Sequence, residues 1–353
     1  MTLLPAMLRS REFFERILER FPACELAVAY GSGVMKQAGP RIGEPPMLDL
    51  IFAVSNASEW HKDNLALNRQ DYAWPLSLLS GGMIANFQQT GGAKILYHPY
   101  VDALDLEPGE PEHPIQLKYG VISSDDVATD LKDWTTLFCS GRLHKPAVVL
   151  QETSHFRYLL KHNLEAALHT SLLLLPSEFS EHDLYATIAG LSYTGDPRFT
   201  FGAESSSKVN DLVDGNFAGF QALYNTAINR SDWVERVPGA TCPDSSQKLL
   251  CRSDKWRTDR MDDALETSRE IISLLPSNLR QNMVTSNHSH AVSADCAPFE
   301  MARWQATSAL ARIVQRTMLV QNVKNVVAAG MTNSVRYVSS KLRKGRRGRK
   351  SIE

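Results

Sequence analysis

The chain has 353 residues, 43% of them hydrophobic and 22% charged, a globular balance with length enough for two cores. No apolar run reaches about 18 residues, which argues against a membrane-spanning helix. Five scattered cysteines (Cys24, Cys139, Cys242, Cys251, Cys296) argue for a reducing compartment and against a disulfide framework or a zinc site.

The net charge of −1 conceals an asymmetry: residues 301–353 hold twelve Lys or Arg and one acid, Glu353, so this tail carries +11 and the first 300 residues −12. A basic tail on an acidic body points to a polyanionic partner.

Residues 1–11 are apolar and basic with no acid. They read as a transit peptide or as the first turn of an ordinary helix, and Glu12 and Glu15 favour the helix. A helix is predicted over 10–20, with Phe13, Ile17 and Leu18 on one face. A first strand over 25–30 runs into a turn, Gly31-Ser32-Gly33, and a second over 47–54 carries a single charge, Asp49. A helix follows from Asn56 to Arg69 with Trp60, His61 and Asn64, and a short one lies between Gly81-Gly82 and Gly91-Gly92. Lys94–Tyr97 and Gln116–Ile122 are predicted strands, separated by an acidic, proline-rich loop at 102–114.

Ser123 and Ser124 before Asp125 and Asp126 start a helix expected to carry Leu131, Trp134 and Leu137. A boundary is placed near Lys145-Pro146, beyond which the pattern turns mainly helical: leucines line one side of 157–175, and Ser180 with Asp183 caps another helix. Residues 240–255 and 284–297 are polar and read as loops. From 310 to 342, Ile313, Val320, Val323, Val327, Val335, Val338 and Leu342 recur at helical spacing with basic residues between them.

The turn and the second strand carry the chemistry. Glycines let backbone N–H groups approach phosphate, and a serine hydroxyl adds a donor. The turn is neither a P-loop nor a dinucleotide fingerprint, since no Gly-Lys-Ser/Thr follows and Lys36 stands where a third glycine would. Tyr30, Gly31, Ser32 and Gly33 are therefore candidate nucleotide-binding residues. A carboxylate in Met-Leu-Asp-Leu-Ile-Phe is costly unless it meets a cation or donors, which makes Asp49 a candidate magnesium ligand. This is the layout of a nucleotidyltransferase core, except that the first of the usual two acids is replaced by Met47.

Lys118, between apolar neighbours, would face a phosphate or Asp49, or would snorkel from a sheet edge. In Gly190-Leu-Ser-Tyr-Thr-Gly-Asp-Pro-Arg198, Asp196 and Arg198 either present a second metal-binding acid and a phosphate clamp or pair with each other. Arg142 and Lys208 are lesser anion-binding candidates. His61 could reach a nucleotide or be a helix-surface histidine. The basic stretch with Arg336, Lys341, Arg343, Lys344, Arg346 and Arg347 suits an anionic membrane surface. No aromatics are interleaved there, so no nucleic acid is expected.

Several segments together are specific: Tyr30-Gly-Ser-Gly-Val34 with Gln37-Ala-Gly39, Met47–Phe52, Trp60-His61, Lys118–Ser123, Gly141-Arg-Leu143 with Lys145-Pro146, and Phe179-Ser-Glu181 through Arg198. In this order the chain resembles the mitochondrial translocator assembly and maintenance family, the mitochondrial phosphatidate cytidylyltransferases. The resemblance implies synthesis of CDP-diacylglycerol from CTP and phosphatidic acid with release of pyrophosphate. It implies that this feeds cardiolipin and phosphatidylglycerol synthesis, at a cardiolipin-rich surface on the matrix face of the mitochondrial inner membrane, with the protein attached peripherally. It also implies an α+β fold: a nucleotidyltransferase domain over 1–150, a mainly helical, winged-helix-like domain over 151–300, and a basic amphipathic membrane-associating region over 301–353. Catalytic roles then fall to Asp49, Lys118 and Asp196, with Mg2+ on Asp49 and Asp196 and nucleotide phosphates at the turn, Lys118 and Arg198. The rival readings are a nucleotidyltransferase with a soluble or RNA acceptor and a non-catalytic assembly factor for translocases.

Overall fold

A computed structural model describes residues 11–31, 33–34, 47–103, 115–200, 207–242, 247–251, 268–284 and 298–350. Helix α1 (Arg11–Arg20) buries Phe13, Phe14 and Ile17. Strands β1 (Leu26–Tyr30) and β2 (Leu48–Val54) are joined across the glycine turn. Helices α2 (Ala57–Leu67) and α3 (Gly81–Gln89) start at Asn56 and Ser80, whose side chains accept from Glu59 N–H and Met83 N–H. Strands β3 (Leu96–Ala103) and β4 (Ile115–Ser123) lead to α4 (Ser124–Asp133), α5 (Ser140–Leu143) and β5 (Val148–Glu152).

These strands form one mixed sheet in the order β3-β4-β2-β1-β5, with β2 and β4 parallel and the other pairs antiparallel. Period-two alternation sorts its side chains. Ala27, Ala29, Leu50, Phe52, Leu117, Tyr119 and Val121 pack with α1 on one face. Leu26, Val28, Ile51, Ala53 and Ile122 face the opposite way, into a core shared with the helical region.

That region contains α6 (Ser154–Leu174), β6 (Glu178–Ser180), α7 (Glu181–Gly190), α8 (Pro197–Thr200), α9 (Lys208–Arg230), β7 (Val234–Thr241), β8 (Gln247–Cys251), α10 (Ser277–Val284) and α11 (Pro298–Lys350). Ser180 and Asp183 make the capping box read from the sequence. β6, β8 and β7 form a second, antiparallel sheet.

Three expectations are corrected here. The stretch 240–255, read as a loop, contains β8 and the end of β7, because Leu249 is buried and its neighbours find partners on β6 and β7. The helix starting at Ser124 stops at Asp133, so Trp134 and Leu137 are not on it; both take positive φ, +56° and +51°, in a buried turn. β3 extends six residues beyond the predicted Tyr97, to Ala103. Among the described residues no helix is long and apolar enough to cross a membrane.

Candidate active site

One rung of the large sheet builds the site. Tyr30 on β1 pairs with Asp49 on β2, and Asp49 pairs with Lys118 on β4. Directly paired residues project to the same face, so the three side chains emerge together toward the helical layer. Lys118 Nζ donates to Asp49 Oδ1 in a close ion pair, the two side chains 24% and 22% exposed. Asp49 is therefore half-buried and matched by a cation, the first of the two alternatives open for Lys118.

Tyr97 on β3 completes the wall: its ring lies 4.7 Å from Lys118 Nζ and its hydroxyl 3.0 Å from the Tyr30 hydroxyl. Burial first, and then the negative charge of Asp49, pushes the Tyr30 phenol up; burial does the same to Tyr97. Both phenols therefore stay protonated and act as hydrogen-bonding groups rather than bases.

Gly31 follows Tyr30 with φ +77°, and a Cβ there would stand 3.3 Å from Asp49 Oδ2. Glycine thus permits both the left-handed backbone and an open approach to the carboxylate. Gly33 is required by contact: its Cβ would meet Met47 O at 2.6 Å, where the turn presses on the start of β2. The Val34 N–H closes the turn on Gly31 O at 3.1 Å. Ser32 lies outside the described residues.

Arg142 reaches the same wall from α5. Its guanidinium stands 5.7 Å from the Tyr30 ring and 3.6 Å from the Phe138 ring, and it donates to Phe138 O at 2.7 Å. The segment carrying it is tied by Asp130, 2% exposed, whose carboxylate accepts from the backbone N–H groups of Thr136, Leu137, Cys139 and Ser140 at 2.7–2.9 Å. A buried carboxylate is tolerable when so many donors replace water.

A second group of cations lies close by. Lys145 donates to Ser192 Oγ at 2.7 Å and sits 4.2 Å from the Tyr193 ring centroid; Lys208 Nζ sits 5.4 Å from the same ring. Gly141 fixes this meeting, since a Cβ there would fall 2.4 Å from Ser192 Cβ.

Asp196 is buried and bound by its neighbour: Arg198 donates to its two carboxylate oxygens at 2.5–3.1 Å. Of the two alternatives for this loop, self-pairing is the one seen. Among the described residues no group of three or more His, Cys, Asp or Glu could hold a metal. A cation at Asp49 would therefore draw most of its ligands from substrate phosphates and water, a regime magnesium commonly adopts. The donor set fits that use: one hard carboxylate beside a glycine turn, already holding an ammonium.

His61 is neither on the helix surface nor at the site. It is fully buried, bonded through its two ring nitrogens to Tyr72 Oη and Gln88 Oε1 at 2.9 Å each. Arg336, Lys341, Arg343, Lys344, Arg346 and Arg347 fall on the distal part of α11, where the backbone is helical; their side chains lie outside the described residues. Sequence reasoning missed Tyr97, Asp130 and the Ser192–Tyr193 seat of Lys145. The one available signal was the dense Gly141-Arg-Leu-His-Lys145 run.

The fold and site define an α+β protein whose large sheet carries a lysine-paired carboxylate beside a glycine turn. Comparison with known proteins places it further: the chain belongs to the family described as mitochondrial phosphatidate cytidylyltransferase, whose profile matches residues 14–344. It is 34% identical to the Danio rerio mitochondrial phosphatidate cytidylyltransferase, over 98% of each chain. It is 34% identical to the Mus musculus protein of that name over 97% of this chain and 96% of the relative, and 33% identical to the Schizosaccharomyces pombe one over 95% and 84%. The family is one of transferases, and the chain is an enzyme of that family.

Proposed function

We propose that the chain transfers the cytidylyl group of CTP to phosphatidic acid, forming CDP-diacylglycerol and releasing pyrophosphate. The observation that carries the reading is the Tyr30–Asp49–Lys118 rung lying against the Gly31 turn, in a chain that matches phosphatidate cytidylyltransferases along almost its whole length.

A phosphate oxygen of phosphatidic acid attacks the α-phosphorus of CTP in line. A new P–O bond forms there, the bond to the bridging oxygen breaks, and its electron pair leaves with pyrophosphate. The nucleophile is already an anion, so no strong base is needed, in keeping with the protonated Tyr30 and Tyr97. The difficulty is to bring two polyanions together, and positioning with fixed positive charge overcomes it. The Gly31 turn offers backbone donors to the triphosphate, with Ser32 adding a hydroxyl. Lys118 neutralises phosphate charge, and Tyr97 and Asp49 hold its ammonium in place. Arg142, carried by the Asp130-tied turn, adds a second cation to the same wall. Mg2+ bound at Asp49 would supply Lewis-acid stabilisation of charge on the phosphates. Asp196, closed on Arg198, would serve as a second metal ligand only after that pair opens.

The finer architecture follows the same reading: a nucleotidyltransferase domain to about residue 150, a winged-helix-like domain beyond it, and a membrane-associating C-terminal region. The small β6-β8-β7 sheet against α7 supports the second part. The absence of a spanning helix among the described residues is compatible with peripheral attachment at the matrix face of the inner membrane, where the product would feed cardiolipin and phosphatidylglycerol synthesis.

The test is product analysis with CTP, Mg2+ and phosphatidate liposomes. CDP-diacylglycerol formed only when all three are present supports the reading. CTP turnover that needs no phosphatidate, or that RNA stimulates, overturns it.

A further inference from the structure

We infer that the corner between α2 and α3, which presents Leu67, Trp74, Leu78 and Met83, is a second membrane contact, through which the folded body itself docks on a phospholipid bilayer. The inference rests on the reading of peripheral attachment above and names a surface outside the basic C-terminal region that makes the contact.

Three observations support it. First, the corner is uncharged and apolar where a surface is normally polar. From Tyr72 to Ala93 there is no Asp, Glu, Lys, Arg or His, in a chain that is 22% charged. Leu67 is 63% exposed, Trp74 71%, Leu78 71% and Met83 55%. They stand on a packed base: Leu65, Tyr72, Leu76, Ile84 and Leu96 form a buried cluster beneath them. Arg69 donates to Ser77 O at 2.8 Å, which draws the end of α2 to the turn at Leu76–Leu78. Gly81 lets α3 meet α2, since a Cβ there would fall 2.3 Å from Ser58 O. Apolar residues gathered and held outward in this way mark an interaction surface, whereas single exposed ones do not.

Second, α11 is seated on the same stretch. Lys324 donates to Gln88 O and Gly91 O, a Cβ on Gly91 would meet Val320 Cγ1 at 3.2 Å, and Ala328 joins the buried cluster. Val320, Val323 and Val327 recur at helical spacing and are exposed, so apolar surface continues from the corner onto this helix. The helix then runs into the basic stretch at Arg336–Arg347, which complements anionic lipid headgroups.

Third, the corner has the mixed chemistry of a bilayer interface. A groove of about 360 Å3 beside it is lined by Lys62 and Arg69 and by Leu65, Ala66 and Leu79. Glu59 stands 3.7 Å from Lys62, but both side chains are well exposed, and such a pair is weak. Cations above an apolar floor, with an exposed tryptophan close by in the chain, match headgroups above acyl chains. This combination favours a bilayer over a protein partner or a second copy of the chain.

The test is flotation of the full chain with vesicles of equal parts phosphatidylcholine and phosphatidylglycerol, comparing wild type with Trp74→Ser, Leu78→Ser and the double variant. Each single change is expected to lower partitioning about fivefold, and the double change more. The KM for phosphatidate carried in those vesicles should rise in step, with turnover of soluble dihexanoyl phosphatidate at the wild-type level. Leu67→Ser, on a different element, serves if either variant fails the fold check by circular dichroism. Unchanged partitioning of the variants overturns the inference and leaves peripheral attachment standing, whereas a wild type that does not float overturns both. A wild type that floats more strongly than the variants yet makes no CDP-diacylglycerol sustains the surface without the transfer reading. Equal losses with soluble and vesicle substrate would place the effect at the active site and overturn the inference. So would a dimer, seen by light scattering, that the variants dissolve while partitioning stays unchanged.

Discussion

Asp49 and Lys118 hold opposite charges together at the mouth of the large sheet, so removing either leaves a half-buried charge without its partner. Lys118→Met is expected to lower kcat/KM by roughly 10²–10³, the scale for losing one preorganised charge on a transferring phosphate, with the fold retained by circular dichroism. Gly31→Ala combines a positive φ with a Cβ facing Asp49 Oδ2 at 3.3 Å. It is expected to cost roughly 1–2 kcal/mol in denaturant unfolding, from the left-handed backbone, and to reduce turnover through displacement of the carboxylate. Asp49, Gly31 and Lys118 were all legible in the sequence because each breaks a local rule: an acid or a lysine in an apolar strand, a glycine at a strand end. Tyr97 breaks none, and only the sheet register reveals it. For Asp196 and Arg198 the sequence left two arrangements open, and a spacing of two residues let the guanidinium fold back.

At the level of elements, two devices set where the site's parts stand. Asp130 gathers the turn between α4 and α5, and Asp130→Asn replaces an acceptor-only group by one that directs N–H at N–H. We expect a loss of about 2–4 kcal/mol in chemical denaturation, with activity falling through displaced Arg142. Gln321 on α11 joins that helix to the sheet: its Oε1 accepts from Ala93 N–H at 3.1 Å and its Nε2 donates to Ile95 O at 3.0 Å. Nearby, Lys324 donates to Gln88 O and Gly91 O at 2.7 and 2.9 Å. Gln321→Leu strands two buried backbone groups and is expected to cost about 2–4 kcal/mol, read as a lower melting temperature. Helices α1, α2, α3, α6 and α7 and strands β1, β2 and β4 were legible from periodicity and caps, whereas α9 and α10 were not placed individually and β3 was read too short. β8 was not legible, because its five residues alternate too briefly among polar neighbours and are held by pairing on both sides. Nor was the burial of His61, which depends on Tyr72 and Gln88 folding over α2 from later in the chain.

Across the whole molecule, buried histidines tie stability to pH. Burial lowers His61 from 6.5 to about 4 and His98 from 6.5 to about 3. Between those values and 6.5 the unfolded chain binds protons that the folded chain does not, so stability rises with pH through that window. Their contribution is complete above about 6.5 and is lost as pH falls toward 4 and then 3. Asp71, whose carboxyl burial pushes up, acts in the opposite direction and blunts the effect. Melting temperatures are expected to drop steeply below pH 6, and a flat profile from pH 7 to 4 would contradict the neutral buried network. The charge asymmetry between body and tail was legible from composition alone. How α11 lies across the body was not, since its packing joins residues more than two hundred positions apart.

The central claim is that this chain moves the α-phosphate of CTP onto phosphatidic acid at Asp49. The most direct measurement supplies CTP labelled at the α-phosphate, Mg2+ and phosphatidate liposomes to wild type and to Asp49→Ala, and follows label in the lipid fraction and the pyrophosphate released. Label should enter CDP-diacylglycerol one-for-one with pyrophosphate in the wild type and fall to background in Asp49→Ala with the fold intact. Label remaining in the aqueous phase with wild type, or equal lipid labelling by Asp49→Ala, would contradict it.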